Sequence, residues 1–349
     1  MNELGGLRRD SKDWRAGKER RAAKDASRQA LGRITGRADG ADLLGVLAGG
    51  LAGADLTTLL LEVFRRRAER LSPAEVMRRY RTDRFVAPGQ VSATALRRAE
   101  NAMLGALPQG FDLVTLAPVL PLGAHTATAG VDPRNVIATV RGTEVAADPT
   151  NGLALEAAAR RADLLRQVPR SAEPVRLAAS QRVTRAQLFS GPVSFAHFQL
   201  LGVVTAGRDT GGHEFETRHL TEQVRFAAAG LSALGLDQVT IAVTCLDEPS
   251  RQVLAAVTTE LAGMPAIEVT EAPDRESGRA YYRGLCFKVY ARSGRDQEML
   301  ELGDGGFVDW TANLLGNRKE RMVISGYGID RLALLGVASL ASEIAQQPG

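Results

Sequence analysis

A long hairpin pattern near the middle of the sequence constrains the fold more than any other feature. Residues 175–185 (VRLAASQRVTR) and 194–207 (SFAHFQLLGVVTAG) are two apolar runs of strand length, with Gly191 and Pro192 between them. Two such runs joined by turn residues are typical of antiparallel strands. The sequence therefore predicts that an antiparallel sheet forms the centre of the fold.

Other segments are also apolar runs of strand length. They occur at residues 135–142 (NVIATVRG), 238–244 (QVTIAVT), 280–291 (AYYRGLCFKVYA), 298–306 (EMLELGDGG) and 321–328 (RMVISGYG). Helical patterns occur at residues 152–168 and 216–235. Hairpin connections outnumber crossovers through helices, which favours an α+β fold with a mainly antiparallel sheet and helices on one side.

The first hundred residues have a different character. They read as helices, and the segment up to Arg37 holds eleven basic residues against five acidic ones. We predict a helical basic N-terminal extension over residues 1–88 and a core over residues 89–349. A basic run of this kind is typical of a solvated helix or of an arm that contacts the phosphates of RNA, and local pattern does not choose between them.

Composition excludes several protein classes. With 44% hydrophobic and 24% charged residues, the chain is not disordered as a whole. Cys245 and Cys286 lie far apart without metal-ligand spacing, which indicates free thiols in a reducing compartment. Glycines interrupt the apolar run from Leu43 to Leu61, and the N-terminus is charged, so we expect no membrane span and no signal peptide. These features predict a cytoplasmic protein.

Charged groups at the ends of predicted strands are the candidates for chemistry. Arg182 and Arg185 are three residues apart, so they point to opposite faces of a strand, and only one can face a site on the sheet. Each either pairs with an acid or holds an anion. Arg141 and Glu144 lie in a polar stretch that leads into a helix, where capping does not explain them. Arg331 opposes the dipole of the helix it begins, unless an anion lies there.

Taken in order, these segments resemble the catalytic core of class II aminoacyl-tRNA synthetases, closest to the histidyl branch. The stretch TRAQ resembles the second family motif, with Arg185 on its arginine and Gln187 in place of its glutamate. GYGIDRL resembles the third motif, with Arg331 on its arginine. RAYYRGLCF resembles the paired-tyrosine signature of the histidyl branch, which places Tyr281 and Tyr282 in the substrate site.

This resemblance implies a function for the matching residues. In the family the two motif arginines hold the phosphates of ATP while a carboxylate is adenylated, so Arg185 and Arg331 are implied as catalytic residues, with Gln187 beside the nucleotide. ATP and Mg²⁺ are the implied cofactors, with Glu301 and Asp304 as metal-ligand candidates. The family also implies a homodimer through residues 111–123 (FDLVTLAPVLPLG).

Several positions depart from the family pattern. Thr150 stands where histidyl enzymes have a glutamate for the substrate amine, and Phe307 replaces an arginine. Leu200 and Val204 are apolar where the family has ligands for histidine. Only a short segment follows the third motif, so we expect no anticodon-binding domain. Histidine activation is disfavoured, because the cationic amine would be desolvated without a partner. Charging of tRNA by the usual route is disfavoured because no anticodon-binding domain is expected.

Two functions remain for such a stand-alone paralogue. In the first, the protein binds ATP and adenylates a small carboxylic acid or an amino acid other than histidine. The residues that would recognise this substrate are Arg141, Glu144, Asp148, Thr150, Tyr281 and Tyr282. In the second, it is a non-catalytic regulatory subunit of ATP phosphoribosyltransferase, in histidine biosynthesis. The basic extension leaves room for a partner protein or for RNA.

Overall fold

The computed structural model describes residues 25–37, 42–187, 195–236, 239–264, 267–276, 278–279, 281–293 and 298–335. By their contacts the residues form two compact units, which divide between Leu71 and Ser72. The domain boundary that we placed at residue 88 stays a prediction. Among the described residues, no helix is both long and apolar enough to cross a membrane.

The first unit is helical where it is described. Residues 25–37 form α1, Leu43–Gly45 form α2, Val46–Gly50 form a π-helical turn and Gly53–Ala68 form α3. Neither the π-helical turn nor α3 contains a buried residue. The predicted basic residues up to Lys24 lie outside the described residues.

The second unit contains most of the secondary structure. Its helices are α4 (Pro73–Thr82), α5 (Ala93–Gly105), α6 (Ala124–Ala129), α7 (Pro149–Gln167), α8 (Glu214–Ser232), α9 (Ser250–Leu261), α10 (Trp310–Leu315) and α11, which begins at residue 329 and is described to residue 335, with a 3₁₀ turn at Pro133–Asn135. Its strands are β1 (Asp112–Leu113), β2 (Val119–Pro121), β3 (Thr143–Val145), β4 (Val175–Thr184), β5 (His197–Arg208), β6 (Val239–Cys245), β7 (Ile267–Glu271), β8 (Arg283–Ser293), β9 (Glu298–Val308) and β10 (Glu320–Gly328).

Eight of these strands form one sheet in the order β1-β4-β5-β10-β9-β8-β6-β7. All neighbours from β4 to β6 are antiparallel, and only the two edge pairs, β1 with β4 and β6 with β7, are parallel. The hairpin predicted from the sequence is present as β4 and β5, paired from Val175 opposite Ala206 to Thr184 opposite His197. The predicted α+β class with a mainly antiparallel sheet is confirmed.

Helices cover both faces of this sheet, so the expectation that they lie on one side is wrong. On one face, Leu201 and Val203 of β5 pack in a core with residues of α5, α8, α9 and α11. On the other face, Val204 and Ala206 pack against Leu153 and other residues of α7. The reason is visible in β5, which is apolar at both odd and even positions and must therefore be covered twice.

A glycine in β5 sets the position of α7. A Cβ atom on Gly202 would lie 3.0 Å from Pro149 Cγ and 3.2 Å from Leu153 Cδ1. Because glycine has no side chain here, the first turn of α7 rests directly on the middle of the sheet. The N-terminus of α7 is thereby fixed above β5, beside the candidate site.

Candidate functional site

A cavity of about 470 Å³ lies on the α7 face of the sheet. Its walls come from the loops before α7, the first turn of α7, the residues after β4, the segment before β8, and the middle of β9 and β10. Predicted site residues in the lining are Asp148, Thr150, Arg185, Gln187, Tyr281, Tyr282 and Asp304. A cavity of this size is typical of a small-molecule site.

The two arginines of the opening hairpin separate as strand geometry requires. Arg185 lines the cavity, and its Nε and Nη2 donate to the Ala147 carbonyl at 2.9 Å and to Asp148 Oδ2 at 3.0 Å. Arg182 donates instead to His197 Nδ1 at 2.9 Å and does not line the cavity. Of the two, only Arg185 is placed to meet a ligand there.

The N-terminus of α7 supplies the polar wall beside Arg185. Asp148 caps the helix by accepting from the Thr150 backbone N–H at 2.9 Å and from its hydroxyl at 2.7 Å. The next residue, Asn151, is only 1% exposed, and its side-chain nitrogen and oxygen have no hydrogen-bond partner among the described residues. Buried amides are nearly always paired, which marks this position as unusual.

A buried histidine and glutamate support the loop in front of α7. Glu144 accepts from the backbone N–H groups of Gly123 and His125 at 2.8 Å each, and from His125 Nδ1 at 2.5 Å. His125 Nε2 accepts from the Ala147 N–H at 3.0 Å, so the ring proton is on Nδ1. Burial alone would raise the pKa of Glu144, but these donors together hold it below its ordinary value.

Two of the predicted substrate residues do not line this cavity. Glu144 does not line the cavity, because its carboxylate is already satisfied by Gly123 and His125. Arg141 lies in an exposed turn, where its backbone N–H donates to Thr139, and it does not line the cavity either. Both residues were predicted because of their charge in a polar stretch, and neither lines the cavity.

The paired tyrosines form an aromatic wall. Their ring centroids are 4.9 Å apart at 80°, and the Tyr281 ring meets Trp310 at 5.1 Å and 90°. Burial is the main cause that raises the pKa of each phenol well above its usual value, with the charges of Asp148 and Asp304 adding to it. Both hydroxyls therefore stay neutral and act as hydrogen-bond donors or acceptors.

Asp304 and Arg275 face each other behind these tyrosines. Arg275 Nη2 lies 3.3 Å from Asp304 Oδ2, its Nη1 donates to the Phe287 carbonyl at 3.1 Å, and its guanidinium lies 5.3 Å from the Tyr282 ring centroid. Burial is the largest influence on Asp304 and raises its pKa, although Arg275 opposes this.

The two predicted metal ligands have different surroundings. Only Asp304 lines the cavity, whereas Glu301 pairs with Lys288 at 2.7 Å. The part of the chain that the structure describes contains no group of three or more His, Cys, Asp or Glu side chains that could hold a metal ion. Mg²⁺ therefore stays a prediction from the resemblance.

Arg331 lies away from the cavity lining. It follows the end of β10 at the start of α11, is exposed, and donates through Nη1 to the Glu301 carbonyl at 3.0 Å. Its side chain is thus held against the backbone of β9, beyond the end of β10, and contact with a phosphate stays a prediction.

Four polar residues of the lining were not among the predicted site residues. They are His125, Asn135, Asn151 and Ser325. The available clue was the position of Asn151 three residues after the N-cap Asp148, because a side chain inside the first turn does not cap the helix.

The architecture can be compared with known proteins. No protein-family model matches the sequence, and no curated protein matches it. Among solved structures, S. aureus histidyl-tRNA synthetase shares 13% identity and a TM-score of 0.55, covering 72% of this chain and 69% of that one. An ATP phosphoribosyltransferase regulatory subunit/histidyl-tRNA synthetase from Bacillus halodurans shares 15% identity and a TM-score of 0.53, covering 72% and 82%.

A histidine–tRNA ligase subunit from Alicyclobacillus acidocaldarius gives a similar result, with 14% identity, a TM-score of 0.52, and coverage of 74% of this chain and 96% of that one. Identities this low show the fold alone. Together with the antiparallel sheet and its flanking helices, the matches show that this chain contains a class II aminoacyl-tRNA synthetase-like core.

Proposed function

We propose that the protein binds ATP beside Arg185 and adenylates a small carboxylic acid or an amino acid other than histidine. The observation that carries the proposal is the guanidinium of Arg185 in the wall of a small-molecule cavity, next to a polar helix terminus and two buried tyrosines. A fixed cation of this kind stabilises charge on a transferring phosphoryl or acyl group. The resemblance implies a triphosphate at this position, which supports the proposal.

The residues present fit a nucleotide in part. Arg185 uses Nε and Nη2 within the protein, and a guanidinium has five N–H donors, so it retains donors for an anion. Arg331 would need to leave the Glu301 carbonyl to contact a phosphate. ATP would supply the adenylyl group and release pyrophosphate, while Arg185 would hold the phosphates and the tyrosines would exclude water from the acid.

Exclusion of histidine is supported by the surroundings of β5. Val204 is fully buried in the apolar core and Leu200 is nearly so, where the family has polar ligands for histidine. Thr150, which replaces the family glutamate, gives its hydroxyl to Asp148. An imidazole would be desolvated against apolar groups, which disfavours it.

ATP binding by calorimetry tests this proposal, with Arg185→Ala and Arg182→Ala as a matched pair. The two arginines are three residues apart, but only Arg185 lines the cavity. We expect Arg185→Ala to weaken ATP binding by about tenfold or more, as loss of a charge-assisted contact does, and Arg182→Ala to leave it unchanged. Pyrophosphate exchange with a panel of carboxylic and amino acids would then identify the substrate.

Two results would contradict the proposal. One is the lack of ATP binding by the wild type at millimolar nucleotide. The other is equal loss in both arginine variants, which would indicate a general effect of charge rather than a contact with the nucleotide.

A second candidate is a non-catalytic regulatory subunit of ATP phosphoribosyltransferase. Phe307, at the position of a family arginine, is only 8% exposed and packs in the apolar core with Leu285 and Phe287, so its side chain offers no cation to a substrate. Gln187 lines the cavity as a neutral amide where the family has a carboxylate. Mixing the protein with a short-form catalytic subunit and measuring the mass of the complex tests this candidate. A complex without ATP binding would favour it over the enzyme.

A further inference from the structure

Residues 83–89, between α4 and α5 in the second unit, form a strap against the hairpin of β4 and β5. The strap begins at the C-cap of α4 with a turn, in which Asp83 Oδ1 accepts from the Phe85 N–H at 2.9 Å and the Asp83 carbonyl accepts from the Val86 N–H at 3.2 Å. It leads to Val91, which is buried in the core with residues of α5. The strap is therefore a folded part of the unit that contains the cavity.

Arg84 is the residue of the strap that contacts the candidate site. Its Nη2 donates to the Ala186 carbonyl at 2.5 Å, and its Nη1 donates to the Gln187 carbonyl at 3.4 Å. The guanidinium also lies over the ring of Phe85, 4.2 Å from the centroid, which restricts its orientation. Charge-assisted donation to two successive carbonyls fixes the backbone between them.

The backbone that Arg84 contacts forms the wall of the cavity that presents Arg185. Arg185 and Gln187 both line the cavity, on either side of Ala186. The Ala186 N–H donates to the Asn135 carbonyl at 3.0 Å. Ala186 is thus held at its N–H by the loop before β3 and at its carbonyl by the strap.

A second contact attaches the strap independently of Arg84. His197 Nε2 donates to the Ala87 carbonyl at 2.6 Å, and His197 Nδ1 accepts from Arg182 Nε at 2.9 Å. A Cβ atom on Gly89 would lie 2.5 Å from Arg182 Nη2, so the strap passes close to β4 here. The bonds from His197 to Ala87 and from Arg84 to the cavity wall do not use Arg182, so we expect both to remain when Arg182 is substituted.

We propose that Arg84 is a positioning residue for the candidate site, which holds the backbone of residues 185–187 so that Arg185 faces the ligand. The proposal rests on the function proposed above and adds a residue to that site. Arg84 does not line the cavity and acts through the two carbonyls. Without it, ligand binding must order a looser wall, which weakens the affinity. The sequence had placed this residue in the N-terminal extension, outside the core.

Amide hydrogen exchange without nucleotide tests the contact itself. The full-length wild type is compared with Arg84→Ala and with Arg81→Ala, in which an exposed arginine in the last turn of α4 is removed. We expect the Ala186 amide to exchange about tenfold faster or more in Arg84→Ala, because the peptide group loses the charged donor at its carbonyl. Arg81→Ala should exchange as the wild type does.

Calorimetry with ATP tests the consequence for the site. Arg84→Ala should weaken ATP binding by about threefold to tenfold, and Arg81→Ala should leave it unchanged. Millimolar methylguanidinium should restore much of the lost affinity in Arg84→Ala, because it supplies the missing donors, whereas a general loss of stability would not recover. If Arg84→Ala does not fold, Arg84→Lys replaces it in both measurements, with a smaller change in the same direction.

The proposal is overturned if the Ala186 amide keeps its wild-type exchange rate in Arg84→Ala, or if Arg81→Ala accelerates it equally. It is also overturned if Arg84→Ala binds ATP as tightly as the wild type, or if methylguanidinium restores nothing. A wild type that binds no ATP contradicts the enzyme proposal instead, and the exchange measurement then decides by itself whether Arg84 holds the cavity wall.

Discussion

Arg161 and Glu320 form a completely buried ion pair between α7 and β10. Arg161 donates from Nε and Nη2 to the two carboxylate oxygens at 2.8 and 2.9 Å, and its remaining donors contact the carbonyls of Glu173 and Ser171 at 2.7 and 3.1 Å. Every charge is therefore paired. The pair ties the helix that carries the cavity wall to the strand beside it.

We predict that Arg161→Leu lowers the free energy of unfolding by about 3 to 5 kcal/mol, because it leaves a buried carboxylate without a partner. Arg160→Leu is the control, since the adjacent Arg160 pairs with Glu156 and Asp112 at the surface, where such pairs contribute about 1 kcal/mol or less. Denaturant unfolding of both variants measures the difference. Equal losses would show that the buried pair has no special role.

Glu144 gives a prediction for the pH dependence of stability. Its folded pKa lies below its ordinary value of 4.5, so the ionised form stabilises the fold above that pH, and this contribution is lost as pH falls through the lower folded value. We expect Glu144→Gln to be less stable than wild type at pH 7, with the difference shrinking below about pH 4.5. Thermal unfolding from pH 7 to pH 3 checks this.

The exposed Glu248 is the control for this series, since Glu248→Gln removes a carboxylate of the same type from the surface. If the melting temperatures of wild type and Glu144→Gln differ by the same amount from pH 7 to pH 3, protonation of Glu144 does not change the stability of the fold as predicted.

At the residue scale, the sequence identified side chains with suitable chemical groups, but not the residues that contact them in the fold. The period of two placed Arg182 and Arg185 on opposite faces of the strand, and the resemblance to the second family motif then chose Arg185. Arg275 and Asn151 were missed as site residues because their importance comes from burial and from contacts across the sheet, such as Arg275 with Asp304. No local pattern encodes a contact between residues 29 positions apart.

At the scale of elements, long apolar runs were predictable and short irregular ones were not. The hairpin of β4 and β5 appears where its pattern predicts. Residues 135–142 read as a strand, but the strand in this region is β3, and the preceding residues meet it through the single bridge of Ala138 with Glu144. A tight turn at Gly142, whose φ is +66°, and the 2.6 Å contact between Thr139 and Thr143 hydroxyls replace the longer strand.

The glycines of β9 explain how this strand packs closely against β10. A Cβ atom on Gly303 would lie 2.5 Å from the Gly326 carbonyl oxygen and 2.6 Å from Tyr327 Cδ1. A Cβ atom on Gly326 would meet nothing within 4 Å. Of Gly303 and Gly326, it is Gly303 that must lack a side chain for the two strands to pair.

We predict that Gly303→Ala destabilises the protein by about 1 to 3 kcal/mol or more, as overpacking does, whereas Gly326→Ala on the neighbouring strand has a much smaller effect. Denaturant unfolding of the two variants is the measurement. A small effect of Gly303→Ala would show that β9 can shift away from β10 without cost.

At the scale of the whole molecule, the predicted contact with RNA or a partner concerns the basic extension, and the predicted dimer concerns the core. Contact of the basic extension with RNA or with a partner protein stays a prediction. In α3, Arg65 pairs with Glu62 and Glu69, and Arg66 pairs with Glu62, which makes contact of these arginines with phosphate less favourable. These arginines hold the pKa of Glu62 at about 2. Basic groups already paired within a helix contribute less to binding phosphate than unpaired ones.

The homodimer implied by the resemblance gives the prediction at this scale. The segment at residues 111–123 is expected to form the interface, and it presents two large apolar side chains to solvent, Leu113 at 56% and Leu122 at 59% exposure. Exposed leucines in one short segment are typical of a surface that a second copy covers. We expect light scattering to give twice the 37.2 kDa mass of the chain.

Substituting both leucines with aspartate should convert the dimer to a monomer, because the charges would be buried without partners at the symmetric contact. Val168→Asp is the matched control, since Val168 is comparably exposed at 53% but lies at the end of α7, outside this segment. Loss of the dimer only in the double variant would assign the interface. A wild-type protein that is monomeric at all concentrations would separate this chain from the assembly of the synthetases that its core resembles.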